Sequence, residues 1–313
     1  SSALSFNDAD DISNVTAATV LEELEVMQGD GRGNFMPEQP VTRAQMAILI
    51  CRILYGDKLN VKQFEGVTQY TDVGTNDYYT GYINLATQLG VIKGYGDGRF
   101  GPDDTVTTAQ AALMLSRALG YFKANELEGQ DWALAAIAQA TKIDMFGSLK
   151  LGTNDLLARD NVAEMVFNTM TKAVPVHYSE RWGVYYSDSQ SVLQGVKFDY
   201  ADTLGYQNFD LVYDDSDDNT DDFGRPIIEW GTTKGTISTD GNTGKITTVD
   251  ITNSFIKAVN EADATYTEEV EYGDIHKALG LSGSKSAELF EDSEISSPIT
   301  LTRASETKLG GNG

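Results

Sequence analysis

Apolar positions in the first half of the chain recur at helical spacing. Met46, Leu49, Ile50, Ile53 and Leu54 share one face of a helix, and so do Ala111, Met114, Leu115, Ala118 and Leu119. Val162, Met165, Val166, Thr169 and Met170 make a third stripe. Another helical segment leads into each stripe, over 15–27, 78–92 and 131–143. The pattern changes within 172–182. Short alternating runs follow, "RWGVYYS", "SVLQGVKFDY", "FDLVYD", "KGTISTD", "KITTVDI" and "TYTEEVEY", separated by Gly, Asn and Asp, and they predict strands. "TDGNTGK" (239–245) reads as a hairpin turn between two of them, and "DIHKALG" (274–280) as one short helix. The expectation is an α + β multidomain chain, all-α first and mostly β, sandwich-like, afterwards.

The stripes belong to an internal repeat. Residues 26–54 align with 91–119 without a gap at an offset of 65, with 13 of 29 positions identical. Each copy has a glycine-rich loop and then a capping box, Thr42 with Gln45 and Thr107 with Gln110. The third stripe repeats the spacing without the glycines and without a capping box at Ala158. A lone helical hairpin cannot bury its apolar face, whereas three copies can pool theirs.

The loop "GDGRFG" (96–101) is formally a G-x-G-x-x-G, yet the repeat removes the nucleotide reading. A helical pattern precedes it, Pro102 follows it, and Met36 replaces the third glycine in the first copy. As a calcium loop from Asp97 it would end on Thr108 instead of glutamate. The glycines fit turns that need positive φ.

Composition narrows the partners. The 313 residues carry 47 carboxylates against 23 Lys+Arg, a net charge of −24, which opposes nucleic acid. No apolar run has the roughly 20 residues that span a bilayer. With no start methionine and no basic leader, the expectation is a mature or trimmed form, or a fragment of a longer protein. The single cysteine, Cys51, lies in an apolar helical stretch as a core residue, and neither His177 nor His276 has metal spacing. Residues 176–313 are the more acidic, 25 Asp+Glu against 10 Lys+Arg. In "YDDSDDNTDDFG" (213–224), Asp215, Asp217 and Asn219 alternate like calcium ligands, but Thr220 and Pro226 stand where glycine and glutamate are needed. A solvated loop is the favoured reading there, and calcium the one cofactor considered.

The copies resemble S-layer homology domains. The second has "YTDV" (70–73), Tyr78 near the family's tryptophan position, "GYGDGRFGP" and "VTTAQ"; the first has "FND" (6–8), "GDGRGNFMP" and "VTRAQ"; the third keeps Trp132 and "LARDN". The expected boundaries are 5–60, 68–122 and 126–175 for the repeats (the third degenerate), 176–305 for the β-rich domain and 306–313 for a flexible tail. The resemblance implies a pseudo-threefold, three-lobed helical spindle. It also implies non-covalent anchoring of a secreted surface protein to the bacterial wall through a secondary cell-wall polysaccharide, often pyruvylated, with other S-layer subunits as further partners. An alternative is a wall-anchored polysaccharide-processing enzyme or an adhesin whose site lies in 176–313. No pair of carboxylates there selects itself for catalysis, so no catalytic residue is assigned.

The chemistry suits an acidic sugar. A pyruvyl ketal carries a carboxylate, which a helix N-terminus and arginine both favour. Arg43 follows the cap Thr42, Arg159 takes the matching place in the third copy, and Thr108 replaces it in the second. Asp8 and Asp72 are candidate acceptors for sugar hydroxyls or, equally, caps of local turns. Tyr78 and Trp132 are candidate stacking rings or packing aromatics. Gly94 and Gly96, with Gln45 and Gln110 at the helix starts, complete the candidate carbohydrate-binding set.

Overall fold

The structure, a computed structural model, describes residues 5–123, 126–127, 131–220, 226–255, 264–266 and 299–301. It is an α + β mix with the helices first. Contacts divide the chain into two compact units, one of Leu4–Val212 with Gly231–Phe255, the other of Tyr213–Trp230 with the chain from Ile256 onward. The boundary expected at 175/176 therefore falls inside the larger unit, where the Val176 amide donates to the Leu119 carbonyl at 2.7 Å.

Three short leading helices, α1 (Val15–Glu23), α3 (Thr80–Gln88) and α5 (Trp132–Lys142), alternate with three core helices, α2 (Arg43–Tyr55), α4 (Thr108–Leu119) and α6 (Arg159–Thr171). Local sequence sets their ends. Thr42 accepts from the Gln45 amide at 3.2 Å while Gln45 Oε1 accepts from the Thr42 amide at 3.0 Å, and Thr107 and Gln110 repeat this. At Ala158 half the box remains, the amide donating to Asn161 Oδ1 at 3.3 Å. The leading helices stop where Glu25, Gly90 and Asp144 take positive φ.

The helices pack mainly between copies. α2 packs on α3, α4 on α5 and α6 on α1, so each core helix meets the next leading helix and the last meets the first. The expected stripes are the buried faces, with Met46, Ile50, Leu115, Val162 and Met165 at 0% exposure. Just before the core helices the backbone closes a cycle. The Val41 amide donates to Leu157 O at 3.0 Å, Leu157 to Val106 O at 3.1 Å, and Val106 to Val41 O at 3.0 Å.

The β elements are small. β1 (His177–Ser179) pairs antiparallel with β2 (Val184–Tyr186). A six-residue helix, α7 (Leu204–Phe209), runs into β3 (Leu211–Asp214), and β4 (Glu229–Thr232) pairs with β7 (Asn253–Ser254). β5 (Ser238–Thr239) and β6 (Ile246–Thr248) form the hairpin expected around 239–245, its turn closed by Asp240, whose Oδ1 accepts from the Asn242 and Thr243 amides at 2.8 Å. In the other unit β8 (Ala264–Tyr266) pairs with β9 (Ile299–Leu301). The run 191–200 is not a strand. Ser191 and Gln194 begin a 3-10 turn, Gly195 breaks it at φ +78°, and a second turn follows at Tyr200–Asp202. No helix was expected at α7, and its last residue, Phe209, begins the run 209–214 read as a strand. The expected helix at 274–280, most of the run 265–272 and the tail 306–313 lie outside the described residues. No described helix is long and apolar enough to cross a membrane.

Candidate functional site

The two glycine-rich loops are organised identically. In the second, Asp72 accepts from the Phe100 and Gly101 amides at 2.8 and 2.9 Å; in the first, Asp8 accepts from the Phe35 and Met36 amides at 2.9 and 2.8 Å. Phe100 packs on Tyr70 at 5.2 Å and Phe35 on Phe6 at 5.4 Å, both phenylalanines fully buried. The position of the formal third glycine does require positive φ, +73° at Gly101 and +60° at Met36. Gly94 is required by proximity: a Cβ there would lie 2.5 Å from the Tyr70 ring. Gly96 has φ +86° and open space around it, as a loop tip.

Each arginine reaches the loop of a different copy. Arg43 Nε and Nη2 donate to the carbonyls of Phe100 and Lys93 at 2.8 and 2.7 Å. Arg159 Nε and Nη2 donate to those of Phe35 and Gln28 at 2.8 and 2.6 Å. An aspartate thus holds the amide side of each phenylalanine and an arginine its carbonyl. Their depths differ. Arg43 is 5% exposed, with Tyr95 and Phe100 rings 4.7 and 4.8 Å from its guanidinium; Arg159 is half-buried. Burial lowers the pKa of both, opposed at Arg43 mainly by Tyr95 and Asp104 and at Arg159 by Asp30 and Asp8. At Asp72 burial pushes upward, but the Phe100 and Gly101 amides outweigh it and hold the carboxyl below its ordinary value.

The helix starts are not open anion cradles. The first two amides of each core helix bond carbonyls of another copy: Arg43 and Ala44 those of Asp104 and Pro102, Thr108 and Ala109 those of Asp155 and Thr153, Arg159 and Asp160 those of Gln39 and Pro37. In α2 and α4 the capping threonine takes the third. The N–H groups that composition offered to a ligand hold the copies together instead.

What remains open is a groove of about 220 Å³ that gathers Gln28, Gln45, Ile48, Arg52, Tyr78 and Arg159. It joins three of the sequence candidates, Gln45 from α2, Tyr78 from the lead-in to α3 and Arg159 from α6. Tyr78 is 71% exposed with its edge against Tyr79. Arg52, not among the candidates, stands in its wall and donates to the Val26 carbonyl at 3.0 Å. The signal was present: Arg52 and Arg117 are identical positions of the 65-residue alignment. Arg43, Asp72 and Gly94 meet at the second loop, where Gln110 caps α4. Trp132 opens α5 at 41% exposure. The third loop differs: Thr108, from the second copy, reaches its Asp155 carbonyl at 3.4 Å, and in α6 Asn168 stands in register with Arg52 and donates to the Met145 carbonyl. Asp215 and Asp217 are exposed, and Asn219 Nδ2 donates to the Asp214 carbonyl at 3.0 Å. Among the described residues no three His, Cys, Asp or Glu gather as a metal site.

Helical hairpins that lend one another arginines across glycine-rich loops define a modular repeat protein whose copies are clamped together around shared grooves. Residues 5–47 and 69–112 match the S-layer homology domain family, and the chain carries these two S-layer homology domains. The cell surface protein of Thermoanaerobacter kivui is 34% identical over 155 residues, 49% of this chain and 19% of that protein. The surface layer protein of Brevibacillus choshinensis is 40% identical over 101 residues, 32% of this chain and 9% of that protein. The endo-1,4-beta-xylanase A of Thermoanaerobacterium saccharolyticum is 31% identical over 101 residues, 31% of this chain and 8% of that protein. The chain thus matches a fifth or less of each of these proteins.

Proposed function

We propose that residues 5–175 form a pseudo-threefold, three-lobed spindle that anchors a bacterial surface protein to the cell wall by binding an acidic secondary wall polysaccharide. The observation that carries this is the groove in which Arg159, Gln45, Arg52 and Tyr78 converge from three copies. The closed cycle through Val41, Leu157 and Val106 supports counting 126–175 as a third repeat. Arg159 offers a charge-assisted grip on a carboxylate such as that of a pyruvyl ketal, and Tyr78 an exposed ring for a pyranose face. Arg43 serves mainly as a clamp between copies because it is 5% exposed, whereas Arg159, which spends the same two nitrogens on carbonyls, stays half-buried at the groove.

The role is non-catalytic. The likeness to a xylanase covers 31% of this chain and 8% of that protein, and no pair of carboxylates in 176–313 selects itself for catalysis. The test is co-sedimentation with purified wall sacculi before and after the secondary polymer is stripped. Binding is expected to disappear on stripping and to fall with Arg159→Ala but not with Thr108→Ala. Retention on stripped sacculi would refute the polymer as ligand, and equal effects of the two substitutions would refute Arg159 as its grip.

A further inference from the structure

The groove does not end at Arg52. Gln28 and Arg52 also line a second cavity of about 540 Å³, which continues toward Asp57 and Asn208–Asp210. The groove alone, at about 220 Å³, is smaller than the roughly 300–1,000 Å³ usual for small-molecule sites, and the second cavity lies within that range. Part of its wall comes from α7 and the residue after it, outside the segments that match the family. That wall is fixed in place: Asn208 Nδ2 donates to the carbonyls of Ile53 and Leu54 at 2.8 and 3.0 Å, at the end of α2.

Chemistry changes sign along this path. The shared end carries Arg52, with Arg159 beyond it in the groove, whereas Glu25, Asp57 and Asp210 line the far cavity as exposed carboxylates around half-buried Phe209. A second acidic sugar would meet three negative groups there. A neutral sugar would donate its hydroxyls to them and lay a C–H face on the phenylalanine. We propose that the cavity is a second subsite of the same ligand, taking a neutral, hydroxyl-bearing sugar linked to the acidic sugar held beside Arg159. This rests on the groove reading above and extends it from a single sugar to a run of the polymer.

Calorimetric titration of the full chain with two probes tests it. One is a methyl hexopyranoside carrying a 4,6-pyruvyl ketal; the other is a disaccharide of that residue with an unmodified hexose. The disaccharide is expected to bind about tenfold more tightly, the scale of one charge-assisted hydrogen bond. A double variant, Asp57→Ala with Asp210→Asn, should erase that gain and leave the monosaccharide unchanged; asparagine tolerates the left-handed backbone of Asp210, φ +56°. Arg159→Ala should lose both probes. Equal affinity of wild type for the two probes, or a gain that survives the double variant, overturns the second subsite and leaves the groove standing. Failure of wild type to bind either probe overturns the groove reading and the subsite with it.

Discussion

At the residue scale Arg43 and Arg159 hold the same place in their helices and differ in depth. Spacing alone pairs them, but Arg43 is 5% exposed because Tyr95 and Phe100 of another copy close over it, which no local pattern reveals. Asp72 illustrates the same ambiguity, because turn cap and sugar acceptor demand the same carboxylate. Its bonds to the Phe100 and Gly101 amides predict that Asp72→Asn costs about 1–2 kcal/mol at pH 7, discounted for exposure and read from denaturant midpoints. The sign with pH follows from a folded pKa held below 3.8: the carboxylate's contribution is present above that value and lost as pH falls through the folded pKa. The gap between wild type and variant should therefore close in acid, and a gap that widened would refute the clamp. Cys51 behaves as its apolar neighbourhood implied. It is fully buried, and desolvation raises its thiol pKa to about 12, against a slight pull from the Ala86 backbone. The native thiol should label with a disulfide reagent only at the rate of opening, and stability should decline between pH 9.0 and about 12 as the unfolded thiol ionises first. Fast native labelling would contradict this burial.

At the element scale, period and caps made α2, α4 and α6 legible. The β half was less so because its runs are short and its pairing non-local. In 191–200, the Gln194 side chain on the Ser191 amide, the Asp199 cap and the positive φ of Gly195 override the alternation, and α7 has too few residues to show a period. The lost cap of α6 gives a direct prediction. Ala158 sits at φ −89°, ψ 163°, the backbone of Thr42 at φ −90°, ψ 163°, and Asn161 already supplies the reciprocal bond. Ala158→Thr should complete the box and raise stability by about 1 kcal/mol, while Thr42→Ala and Thr107→Ala each cost about that much. Thermal midpoints decide it, and a destabilised Ala158→Thr variant would mean that the third helix start is held by its neighbours alone.

On the scale of the whole molecule, the copies are connected more tightly to one another than the repeat pattern implies. A hairpin repeat stacked in a line leaves two ends, each needing a polar cap. Here α6 returns to α1, and the amides of Val41, Leu157 and Val106 close on themselves, so no copy is terminal. The helix-start amides contribute to the same closure, which is why they do not serve as an open anion site. A ring of this kind loses its shared core if any member leaves, because each core helix covers the apolar face of the next leading helix. Opening should then be cooperative across 5–175, not stepwise along the sequence. Native-state hydrogen exchange is expected to give the Val41, Val106 and Leu157 amides the same opening free energy, although 51 to 116 residues separate neighbours in the cycle. Val106→Ala should lower all three together, by about 1–2 kcal/mol for the two methyl groups removed from a fully buried site. Loss of protection at Val106 alone, with Val41 and Leu157 unchanged, would show the copies to be independent hairpins and would remove the mechanical basis for a groove assembled from three of them.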